Sequence, residues 1–166
     1  PRPALVTTYG AFGEEVSHRF DRSILAWVEL GGIYVQVAVR GGGEFGESWH
    51  LAGAGRNKPR TFSDFAAALE WLHEHKWTTP AMTALEGHSA GGLVVGVVMA
   101  SRPNLLGAAI ARMPLLDMLR FSKFGSGPRW TGEFGDPTDP EDRAVLRAYS
   151  PVHSIREGGA YPPSMW

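Results

Sequence analysis

The feature that most constrains this chain is an abrupt passage from strand to helix at its centre. An apolar run, Met82–Glu86, enters Gly87-His88-Ser89-Ala90-Gly91-Gly92, and an apolar helical run follows from Leu93 to about Ala100, stopped by Pro103. A strand that turns directly into a helix brings two backbones close together. Glycines at positions 87, 91 and 92 leave out the Cβ atoms that would block that approach. The serine at the apex of such a turn is held in a tight, strained conformation, with its hydroxyl projecting from the sheet edge. The helix beginning there points its positive end at the hydroxyl.

Other segments repeat the alternation. Ala4–Tyr9 is β-rich and closes at Gly10. Ser23–Leu30 has helical character and stops at Gly31-Gly32. Ile33–Val39 is an almost wholly apolar strand, as a strand buried on both faces would be. Thr61-Phe62-Ser63-Asp64 resembles a capping box. It opens a helix whose stripe is Phe62, Phe65, Ala66, Leu69 and Leu72. Gly107–Met113 is a further strand and Asp139–Tyr149 a short helix, while residues 47–60 read as irregular. Strands alternating with helices predict an α/β fold with a mostly parallel sheet flanked by helices. There is no internal repeat and no low-complexity segment. The 166 residues suit one domain, taken as residues 1–166, and 43% of them are apolar, which excludes a disordered chain.

Charge and residue usage narrow the function classes. A net charge of −1 with interspersed signs gives no footprint for nucleic acid or a membrane surface. No apolar run approaches the ~20 residues a spanning helix needs. With no cysteine there is no disulfide, thiolate metal site or cysteine nucleophile, which fits a reducing, cytoplasmic setting. No cofactor and no metal is expected. Gly41-x-Gly43-x-x-Gly46 matches a dinucleotide fingerprint, but Trp49-His50-Leu51-Ala52-Gly53 does not open a helix as that fingerprint requires. His73 and His75, two apart on a helix, face different sides and read as solvated. Trp27, Trp71 and Trp77 read as core or interface.

Gly87–Gly91 matches G-x-S-x-G in the strand–turn–helix setting of the α/β-hydrolase nucleophile elbow. Ser89 is the candidate nucleophile, and the Ala90 N–H is a donor to a developing oxyanion. The alternative is a glycine-rich turn with a bystander serine. A serine nucleophile needs a base and usually an orienting carboxylate, in the chain order Ser, acid, His. His153 is the only histidine after Ser89, with Asp117, Asp136, Asp139 and Asp142 as available acids. It is the one candidate base within the chain, and the other reading is a loop histidine bonded to backbone. His88 adjoins Ser89 on a sharp turn, where neighbouring side chains diverge.

Several blocks together resemble the catalytic domain of the prolyl oligopeptidase family of serine peptidases. They include Thr8-Tyr9-Gly10-Ala11-Phe12, Arg40-Gly41-Gly42-Gly43-Glu44-Phe45-Gly46-Glu47-Ser48-Trp49-His50, the elbow, Leu116-Asp117-Met118-Leu119-Arg120-Phe121 and Tyr149-Ser150-Pro151-Val152-His153. The resemblance implies a partial α/β-hydrolase fold with Ser89 as nucleophile and Tyr9 as the hydroxyl partner of Ala90 in the oxyanion hole. It implies that Trp130 stacks on a substrate proline, with Phe12, Leu115 and Phe134 as further pocket walls. The substrate would be a peptide, with a small ester as the alternative. Two departures bear on specificity. Ser89-Ala90-Gly91-Gly92 is nearer the oligopeptidase B branch, which cleaves after basic residues, while Trp130 and Leu116–Phe121 point to the prolyl branch. Phe134 replaces a usual tyrosine. The family's propeller and its catalytic acid and base lie outside the matched blocks, which implies a truncated catalytic domain. A small carboxylesterase, or an inactive remnant that forms homo-oligomers or awaits a complementary segment, are the other readings.

Overall fold

The computed structural model describes residues 1–16 and 19–166. Five strands, β1 (Ala4–Thr7), β2 (Ile33–Gln36), β3 (Thr83–His88), β4 (Ala108–Arg112) and β5 (Ser164–Met165), form one sheet in the order β2-β1-β3-β4-β5. Every pairing is parallel. From β1 the chain moves outward to β2 and then crosses back to place β3 on the other side of β1. The order therefore reverses between β1 and β3, and a crevice opens at the carboxyl ends of two strands leading in opposite directions.

Alternation along the strands decides which face is sealed. Ala4, Val6, Leu85, Ala109 and Ala111 are fully buried, whereas Leu5, Thr7, Ala84 and Ile110 on the other face are half-buried. The sealed face packs α4 (Ala90–Ser101), which is apolar on every side because α3 (Pro59–Glu74) and α7 (Pro151–Ser154) also pack on it. The predicted stripe Phe62, Phe65, Ala66, Leu69 and Leu72 is the buried face of α3.

The boundaries differ from expectation where side chains compete for backbone groups. Residues 47–60 are ordered rather than irregular: α2 (Glu47–Leu51) and a 3₁₀ turn at Gly55–Asn57 fill them. Helix α3 starts at Pro59, whose missing N–H costs nothing at a first helical position. Thr61–Asp64 therefore lies inside the helix and is not its cap. Ser63 Oγ donates back to the Pro59 and Arg60 carbonyls, and Asp64 accepts from the Arg40 N–H at 3.0 Å and Nε at 2.8 Å. Strand β2 ends at Gln36 rather than Val39, although the Val37 N–H still donates to the Thr7 carbonyl. The expected helices near residues 23–30 and 139–149 are α1 (Arg22–Glu29) and α6 (Pro140–Tyr149). Among the described residues no helix is long and apolar enough to cross a membrane.

His73 is not a solvated surface histidine. Its Nε2 lies 3.0 Å from the Thr83 hydroxyl, and burial lowers its pKa from the ordinary value. Trp71 and Trp77 are half-exposed rather than core, and Trp71 stacks on the exposed His75 at 4.2 Å. Trp27 is partly buried, and its Nε1 donates to the Ile33 carbonyl at 2.9 Å.

Candidate active site

Ser89 is the single residue between β3 and α4, with φ 54° and ψ −114°. That is the conformation of the first central residue of a type II′ turn, where glycine dominates. The surroundings impose it on a serine. The Ser89 N–H donates to the Arg112 carbonyl at 2.9 Å, which ties the turn to the end of β4. A Cβ on Gly87 would lie 2.2 Å from the Gly91 carbonyl oxygen, and one on Gly91 would lie 2.4 Å from the Thr8 carbonyl oxygen. The elbow glycines are thus required by contact with backbone, which cannot move aside as a side chain can.

Tyr9 follows β1, and Ser89 follows β3, so the two stand on either side of the point where strand order reverses. The Ser89 side chain lies close enough to the Tyr9 hydroxyl to act on its ionisation. Burial raises the Tyr9 pKa, the Glu14 charge raises it further, and the Ser89 contact only partly opposes them. The phenol therefore stays protonated near neutral pH and keeps an O–H to donate. The Ala90 N–H is the first of α4 and has no carbonyl one turn back within the helix to accept it. A serine hydroxyl, a phenolic hydroxyl and a helix N-terminus thus lie at one sheet edge.

Beside them is a cavity of about 350 Å³ lined by Leu115, Phe121, Phe124 and Trp130, among others. Phe12 meets Trp130 edge-on at 6.4 Å and Phe134 at 5.5 Å. The four predicted pocket residues are therefore one cluster, but only Leu115 and Trp130 line the cavity, while Phe12 packs against Trp130 and Phe134. Phe134 is 1% exposed, held between Phe12, Phe121 and the Lys58 ammonium, so it supports the wall from within and presents no face to the cavity.

His153 does not reach this site. It lies in α7, where its Nδ1 is 2.9 Å from the Ser150 hydroxyl, and it lines a separate cavity with Ala100, Ser101 and Pro103 at the far end of α4. Ser89 precedes the first residue of that 12-residue helix, so about 18 Å of helix separates the two. His153 is also not the loop histidine bonded to backbone of the other reading: it sits in a helix, and its ring is paired with a side-chain hydroxyl.

Sequence reasoning missed three residues beneath the pocket. Lys58 is 1% exposed. Its Nζ donates to Glu133 Oε1 at 2.5 Å and to the Gly10 carbonyl at 3.2 Å, and it lies 5.3 Å from the Phe134 ring centroid. Glu133 Oε2 is 2.7 Å from His50 Nε2. Burial lowers the Lys58 pKa while Glu133 opposes that shift. Only the pairing of Lys58 with Glu133 in one apolar region marks them, and sequence spacing does not carry it.

A strained serine between strand and helix, at the switch point of a parallel sheet, belongs to the α/β-hydrolases. The sequence profile of the prolyl oligopeptidase family matches residues 18–166. The chain belongs to that family. It is 40% identical over 164 residues to the prolyl endopeptidase of Elizabethkingia miricola, covering 98% of this chain and 23% of that protein. Among solved structures, a post-proline cleaving enzyme from Rickettsia typhi superposes with a TM-score of 0.96 at 37% identity, covering 98% of this chain and 24% of that one. Oligopeptidase B from Leishmania major gives a TM-score of 0.94 at 34% identity, covering 99% and 23%. The chain thus spans about a quarter of the length of the relatives it matches.

Proposed function

We propose that this chain is the nucleophile-bearing part of a serine peptidase that cleaves peptides after proline through an acyl-enzyme on Ser89. The observation carrying the reading is the contact of Tyr9 with Ser89 at the sheet's switch point. In the proposed reaction the Ser89 oxygen attacks the peptide carbonyl carbon, and its proton passes to a base. The negative oxygen of the tetrahedral intermediate accepts from the Tyr9 hydroxyl and the Ala90 N–H. The C–N bond then breaks, the amine leaves with a proton, and the acyl group remains as an ester on Ser89 until water releases it.

The base and acid are supplied by a complementary segment, since His153 is held at the other end of α4.

Proline is favoured over a basic residue for an electrostatic reason. A site for lysine or arginine needs a free carboxylate. Glu133, beneath the pocket, has both oxygens engaged, by Lys58 and by His50. Asp117, on the cavity rim, is bonded to Arg120 Nε at 2.6 Å. Glu14, whose charge reaches Tyr9, does not line the cavity, and the faces that remain there are mainly aromatic and aliphatic, which match a rigid ring with no N–H to satisfy. Initial rates of the full-length polypeptide on two peptides differing only in proline or arginine before the scissile bond test this. Faster cleavage after proline is expected. Faster cleavage after arginine would reject the assignment in favour of the basic-specific branch, and turnover of small esters alone would favour an esterase.

A further inference from the structure

Lys58 is a buried charge with no role in the reaction as described above. Lysine is almost never fully buried unless paired, and a buried ion pair adds little to stability over apolar side chains of the same volume. Lys58 nevertheless occupies the turn just ahead of α3 with its whole side chain sealed from solvent.

Its contacts connect the two halves of the site. An ammonium has three donors. One goes to the carbonyl of Gly10, the residue after the oxyanion tyrosine, which is held at φ +69°. Another goes to Glu133, next to the buried Phe134 that supports Phe12 and is itself overlain by the ammonium. Glu133 in turn holds His50, whose ring closes on Gly13, where a Cβ would lie 3.4 Å from it. Phe12 is enclosed between Gly10 and Gly13, and it too has positive φ, 59°. The turn that follows Tyr9 and carries Phe12 is therefore bonded to this network at Gly10 and packed against it at Gly13.

We propose that Lys58 and Glu133 are positioning residues that lock the oxyanion turn and the pocket wall into one unit, so that oxyanion stabilisation and proline selectivity depend on the same ion pair. The inference rests on the serine-peptidase reading above. A pair serving stability alone would tolerate removal of both charges at constant volume. A pair that positions would not, because the Gly10 carbonyl loses its donor and Phe134 its anchor.

The test is the double variant K58M/E133Q in the full-length polypeptide, which leaves no orphan charge. Ser89 is labelled with an alkyl fluorophosphonate, which does not use the pocket, and with an N-acyl-proline diphenyl phosphonate, which does. Both rates are expected to fall about tenfold or more per folded molecule, since misplacing reacting groups by about 1 Å costs up to about 100-fold. The proline probe should lose more than the alkyl probe. Should the double variant fail to fold, Glu133→Asp keeps the charge, shortens the reach and is expected to lower the same preference for the proline probe. Wild-type rates and ratio in the folded variant would overturn the inference alone. A wild-type protein that does not label would overturn the serine-peptidase reading and this inference with it.

Discussion

Replacing Ser89 by glycine is expected to leave a more stable protein than replacing it by alanine, although alanine is the closer match in size. The reason is the backbone at φ 54°, ψ −114°. Serine and alanine both carry a Cβ and both bear the strain of that region, about 1–3 kcal/mol. Glycine bears almost none. Against this, glycine gives the unfolded chain more freedom than alanine, worth about 0.4–1 kcal/mol. The difference favours glycine by about 0.5–2 kcal/mol. In a protein of this size that is a rise of a few degrees in Tm. In urea it is a higher midpoint at unchanged slope, which shows that stability changed and not the compactness of either end state. Circular dichroism during urea titration of the two variants, side by side, reads it. Equal stability, or a more stable alanine variant, would refute the strained elbow and with it the argument that Gly87 and Gly91 force Ser89 into this conformation.

Other expectations follow from the same geometry. In the proposed reaction Tyr9→Phe removes one oxyanion donor, so it should slow labelling of Ser89 by a fluorophosphonate about 100-fold or more, while the urea midpoint shifts little. Phe134→Ala empties a site sealed by Phe12, Phe121 and Lys58 and should cost about 3–5 kcal/mol in denaturant titration, with Trp130 fluorescence altered. His73 has a lowered pKa, so the unfolded chain binds its proton more readily. The stability this residue holds is present above about pH 6.5 and is lost as pH falls from there through the folded-state value. His73→Gln should flatten that part of a plot of midpoint against pH.

The elbow was legible in the sequence because its glycines have a steric cause that leaves a fixed spacing. The α3 stripe was legible because helical burial repeats at 3.6 residues. The start of α3 was not, since Thr61–Asp64 satisfies a capping pattern that Ser63 and Asp64 fulfil with other partners. Two placements were hidden for a different reason. Nothing near Lys58 in the sequence separates a buried lysine from a solvated one, because its partners Gly10 and Glu133 are far away along the chain and are joined to it only by the fold. His153 fitted the expected chain order for a base, but order does not encode distance, and α4 lies between it and Ser89. The pocket residues came from the family resemblance, yet the distinction between Trp130 on the cavity wall and Phe134 behind it depends on burial.

The central claim is that Ser89 is an acylated nucleophile. Intact and peptide mass spectrometry of the full-length polypeptide after brief exposure to a fluorophosphonate tests it most directly. The account predicts one adduct, on the peptide that contains Gly87-His88-Ser89, absent from Ser89→Ala and strongly diminished in Tyr9→Phe. An adduct on another residue, or equal labelling of the Ser89→Ala variant, would contradict it.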